Sequence, residues 1–152
     1  MREKRRGSRP HRGKIDDILI NTQRKLRDSY EPVSIPNLNA FERKRIHQFF
    51  DNRNDFVTKT YRNGDQFVLK VFPVGNIKKL AEEKANEALD SGDVVHMPPM
   101  GNFERYIIHE HLKNKEGVET SSQGEDEARH VEIRPVKFGR GLKKILKKIK
   151  LL

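Results

Sequence analysis

Phe41-Glu42-Arg43-Lys44-Arg45-Ile46-His47 and Phe103-Glu104-Arg105-Tyr106-Ile107-Ile108-His109 are one pattern written twice, 62 residues apart. Sliding the chain against itself by that interval aligns 15–74 with 77–136 without a gap, and 14 of the 60 positions are identical. The matches include Val33/Val95, Pro36/Pro98, Thr58/Thr120 and the Pro73-Val74 and Pro135-Val136 pairs that close the copies. A fixed period is the mark of a duplicated structural unit. Gly75 and Asn76 are left as the link between the copies.

Each copy reads in the order α-β-α-β-β. The first helix is expected over 15–27 and again over 77–89, where Ile77, Leu80, Ala81, Lys84, Ala85 and Ala88 recur at helical spacing. Short extended pieces follow at 32–35 and 94–97, each stopped by proline. The motif then starts a helix, over 40–50 and 102–113, with Asn39 and Gly101 as caps. Two strands close each copy: 56–61 and 66–72 around the turn Arg62-Asn63-Gly64-Asp65, then 118–122 and 129–134 around Gly124. The expected fold is α+β. Two small tandem units each carry a three-stranded sheet with two helices on one face.

Arg43 and His47, like Arg105 and His109, stand four apart, so each pair shares one side of its helix. Phe41, Ile46, Phe49 and Phe50 define the apolar side in the first copy, with Phe103, Ile107, Ile108 and Leu112 in the second. The pair lies roughly 120° from the centre of that side, at the rim or facing out. A guanidinium offers a planar fork of donors that matches phosphate oxygens. An imidazole adds a donor or a surface for stacking. No other Arg-x-x-x-His occurs in the chain. Glu42 and Glu104 beside the motif arginines are read as helix-supporting charges rather than catalytic acids.

The stretch from Met97 to His109, with 117–124 and 129–133 after it, resembles the R-three-H domain, named for its Arg-x-x-x-His motif. It is most similar to the version that ends bacterial Jag-type RNA-binding proteins. The resemblance covers 77–136 and, through the repeat, extends more weakly to 15–74. It implies a small sheet with helices on one face and binding of single-stranded DNA or RNA. By motif position it makes Arg105 and His109, and Arg43 and His47, the residues that meet nucleic acid, with Arg129 fitting the pattern from a strand. Tyr106 and Lys44 stand where the Jag version often has a second arginine, and Phe67 is the first-copy partner of Arg129.

The net charge of +10 is unevenly spread. Residues 1–14 carry +6 and 137–152 carry +7, which leaves −3 for 15–136. The arm 1–14 has no apolar face and reads as disordered and phosphate-seeking. In the tail 137–152, Leu142, Ile145, Leu146 and Ile149 make a stripe opposite lysines, a basic amphipathic helix. Three readings stay open for it: RNA or a ribosome-like surface, an anionic membrane, or the acidic second copy. The copies differ too, +2 for 15–74 and −5 for 77–136. With Lys44 and Arg45 inside its motif, the first copy is expected to supply more affinity.

Hydrophobic content of 34% against 36% charged residues limits any core. The chain has no cysteine, so disulfides and thiolate metal sites are excluded. No apolar run is long enough for a membrane span or secretion signal, and a cytoplasmic location is expected. No phosphate loop, dinucleotide glycine pattern or nucleophile elbow appears. His109-Glu110-His111 lacks the spacing of a helical zinc site and the other histidines are scattered. No catalytic residue, cofactor or metal is therefore expected. The function read from the chain is a non-enzymatic accessory or regulatory protein binding single-stranded nucleic acid, RNA ahead of DNA, with a ribonucleoprotein as a wider partner. The rival is a protein-interaction or membrane-peripheral adaptor, with the repeats as scaffold and the tail as anchor.

Overall fold

A computed structural model describes residues 13–136. The chain divides between Pro73 and Val74 into two units. The arm expected over 1–14 lies almost wholly outside the described residues, and the tail helix expected over 137–152 lies wholly outside them.

The first unit contains α1 (Lys14–Leu26), β1 (Val33–Ile35), α2 (Ala40–Asp51), β2 (Val57–Asn63) and β3 (Gln66–Phe72). α2 starts where Asn39 and Glu42 form a reciprocal capping box, each side chain accepting the other's backbone N–H, at 2.8 and 3.0 Å. Glu42 thus supports the helix, and the Asn39 amide and the Lys14 ammonium hold its carboxyl below the usual range. The three strands are antiparallel in the order β1-β3-β2, so the last strand in sequence is the middle one. Asn63 pairs with Gln66, so the hairpin turns on Gly64-Asp65 rather than Asn63-Gly64. Gly64 takes φ +63, a conformation the primed hairpin turns need and a Cβ resists.

Cross-strand partners share a face of a sheet. Ile35 and Thr60 therefore lie on the same face as Leu69, and Val33 and Thr58 on the same face as Val71. That face meets the helices: Leu26, Ile35, Leu38, Ile46, Phe50, Leu69 and Val71 form one buried cluster.

The second unit contains α3 (Val74–Ser91), β4 (Val95–His96), α4 (Asn102–Leu112), β5 (Val118–Gln123) and β6 (His130–Pro135), with a 3-10 turn at Asp126–Ala128. The sheet is antiparallel in the order β4-β6-β5, again with the last strand in the middle. α3 buries Ile77, Ala81, Ala85 and Ala88 along one stripe. The small alanines let α4 approach closely with Ile107, Ile108 and Leu112. Val131 and Ile133 are buried while His130 and Glu132 alternate to the other face.

Three details depart from the sequence reading. α3 begins at Val74, so Gly75 and Asn76 are helical rather than a link. The 3-10 turn before β6 has no counterpart in the expected elements. Phe41, placed on the apolar side of its helix, is 66% exposed.

Candidate nucleic-acid interface

The motif arginines sit in the first turn of their helices and reach back to the segments that enter them. Arg43 Nη1 donates to the Leu38 carbonyl at 2.6 Å, and Arg105 Nη1 donates to the Met100 carbonyl at 2.5 Å. Leu38 and Met100 are equivalent positions of the repeat. Each bond uses one of five guanidinium N–H donors and fixes the direction of the fork. Arg105 Nη2 also approaches Asn102 Oδ1 at 3.5 Å.

The histidines also make contacts within their own units. His109 lies over β5 with Nδ1 2.6 Å from Thr120 Oγ1 and Nε2 2.8 Å from Ser122 Oγ. His47 makes the same two contacts over β2: Nδ1 with Thr58 Oγ1, and Nε2 with Thr60 Oγ1 at 2.9 Å. Thr58 gives its hydroxyl proton to Asp51 Oδ1 at 2.8 Å, so it accepts from His47, which carries its proton on Nδ1. Both ring nitrogens are thereby engaged within each unit. The imidazole straps helix to strand. The signal was in the sequence. Thr58/Thr120 is one of the identities, and Thr60/Ser122 keeps the hydroxyl two positions on.

Burial, and then the neighbouring Arg105 charge, push the His109 imidazole below its ordinary 6.5. The folded unit therefore favours the neutral ring. The unfolded chain then takes up this proton more readily than the folded unit. The contribution of His109 to stability is complete above about pH 6.5 and is lost as pH falls through the depressed value. An NMR titration is expected to place its Cε1–H midpoint below 6.5, and Arg105→Ala to raise it. A midpoint at or above 6.5 would contradict the geometry.

The surroundings of the arginines differ. Arg105 and Arg129 line one open cleft of about 600 Å³ with Pro99, Met100, Asp126 and Glu127. Arg129 is steadied by donating to the Gly124 carbonyl at 3.0 Å. In the first unit the place of Arg129 is taken by Phe67, 41% exposed. Arg43 stacks over its ring at 4.7 Å, and Arg62 approaches the same ring at 6.0 Å. An aromatic face flanked by two guanidinium groups offers stacking as well as charge. Lys44 and Arg45 are both exposed. At 100° per residue Lys44 is about 60° from His47, whereas Arg45 is about 160° away and points elsewhere.

His96, His130 and Glu132 gather their ligand atoms within 4.8 Å on the opposite face of the second sheet, so these histidines are not scattered. No helix among the described residues is long and apolar enough to cross a membrane.

Residues 75–135 match the R-three-H domain model, and this span holds Arg105, His109, Arg129 and the strapping hydroxyls. The RNA-binding protein KhpB of Lactiplantibacillus plantarum is 42% identical over 57 residues, 38% of this chain. The match spans 18% of that protein's length.

Proposed function

We propose that the protein binds single-stranded nucleic acid, RNA first, and acts by binding rather than catalysis. The observation that carries the reading is the R-three-H match over a unit in which Arg105, fixed by the Met100 carbonyl, shares a cleft with Arg129. The relative's name gives RNA priority over DNA. The guanidinium groups meet phosphate oxygens, and the histidines hold the helix that carries them. The repeat makes 15–74 a divergent copy of the same domain, where Arg43 and Lys44 meet phosphate and Phe67 meets a base. Arg45 joins through the general field. The basic termini add sequence-independent attraction, and an accessory or regulatory role suits such low specificity.

The test is fluorescence anisotropy of the full chain with labelled single-stranded RNA, single-stranded DNA and duplex. Binding is expected to favour single strands and to weaken steeply with salt. For each three phosphates contacted, affinity falls roughly 20-fold between about 50 and 200 mM salt. Absence of binding at low salt, or binding indifferent to salt, sinks the proposal. The charge of −5 on 77–136 favours a second reading in which this unit also receives a basic protein segment. Crosslinking in native extract that recovers protein without nucleic acid would support it over the first.

A further inference from the structure

The second sheet turns a different chemistry to the side away from α4. His96 on β4 pairs in register with Glu132 on β6, and His130 stands two residues before Glu132. All three therefore project from the face opposite buried Val131 and Ile133. His96 Nδ1 is 3.1 Å from His130 Nε2 and 3.5 Å from Glu132 Oε1. We propose that His96, His130 and Glu132 form a binding site for a Zn²⁺-class transition-metal cation.

The separations suit the proposal. Bonds of about 2.0–2.1 Å to a tetrahedral zinc put neighbouring ligand atoms roughly 3.3–3.4 Å apart. The observed 3.1 and 3.5 Å bracket that edge length. The supporting contacts are also in place. His130 Nδ1 donates to the Ala128 carbonyl at 3.0 Å, which leaves the Nε2 lone pair aimed at the cluster. Arg134 holds the other carboxylate oxygen, Glu132 Oε2, at 3.1 Å, so Oε1 is left to the cluster. The Arg134 charge works against a cation, and the −5 carried by 77–136 outweighs it. Two imidazoles and one carboxylate select zinc, nickel or copper over magnesium or calcium, which ask for oxygen ligands. Water completes the fourth position.

Without the cation, His130 Nε2 accepts the proton of His96 Nδ1. A cation on His96 Nδ1 displaces that proton to Nε2 of the same ring, with no net proton lost. Its structural effect follows from β4, which pairs through only two residues. The metal would tie this short edge strand to the centre of the sheet.

The experiment uses the full chain and zinc chloride in competition with a chromophoric chelator at neutral pH, with Co²⁺ as a spectroscopic substitute. One zinc ion should bind with a dissociation constant in the micromolar range or below. Cobalt should give the intense visible bands of a four-coordinate site. His96→Gln alters a side chain that is 60% exposed, so folding is spared, and it should weaken zinc binding roughly tenfold or more, as should His130→Gln. His111→Gln, which alters a residue paired with Glu82 at 3.0 Å, should leave it unchanged. Zinc binding that survives in the double variant of His96 and His130, a purely octahedral cobalt spectrum, or no binding by the unaltered chain would overturn the proposal.

Discussion

Replacing Arg43 with alanine is expected to weaken binding of a single-stranded oligonucleotide by about 10- to 100-fold. Each charge-assisted hydrogen bond to phosphate contributes about 1.5–3 kcal/mol, and 1.4 kcal/mol is a factor of ten in affinity. The effect should exceed that of Arg105→Ala for two reasons. The first repeat copy carries +2 and the second −5, so a phosphate approaching Arg43 meets a more favourable field. Arg43 also lies 4.7 Å over the exposed Phe67 ring, so losing it disturbs a stacking surface as well as a charge. Arg43→Lys keeps the charge without the planar fork and should fall between the two. Anisotropy at low salt, with thermal melts to confirm folding, measures all three. A larger loss from Arg105→Ala would reverse the ranking of the two copies.

Ile108→Ala is expected to lower the unfolding free energy by about 3 kcal/mol. Ile108 is 0% exposed and fastens α4 to the structure beneath it, and truncation leaves a cavity that rigid neighbours fill poorly. For a unit of this size that is a fall in melting temperature of roughly 10–20 °C. Phe41→Ala makes the instructive contrast. It removes a larger side chain from the equivalent motif of the first unit, yet one that is mostly exposed, and should cost less than about 0.5 kcal/mol. Calorimetric melts of both variants decide the matter, and equal losses would mean that Phe41 is packed after all.

The repeat made most of this architecture legible. Proline stops and turn glycines gave the strands, 3.6-period spacing gave the helix after 77, and the doubled motif gave the two helices that carry Arg and His. The misses have local causes. Gly75 and Asn76 read as a link because the aligned copies stop at 74 and restart at 77, but burial of Val74 and Ile77 carries α3 through both. Phe41 read as core because apolar residues are assumed to face inward, which is a one-way rule. The histidine strap was hidden because its hydroxyl partners lie 11 and 13 residues downstream, and only the approach of helix to strand brings them near. His96 and His130 are 34 residues apart and meet through strand register alone. Pairing distant residues needs the topology, and composition carries no trace of it.

In both sheets the middle strand is the last one made. During synthesis, β1 and β2 have no partner until β3 leaves the ribosome, and β4 and β5 wait likewise for β6. Helices can form as they emerge, but neither sheet can begin until its unit is nearly complete. A chain interrupted before residue 130 would thus hold a finished first unit beside two orphan strands. The second unit gains its stability in one step at the end of its translation, and its waiting strands are exposed to wrong pairings until then.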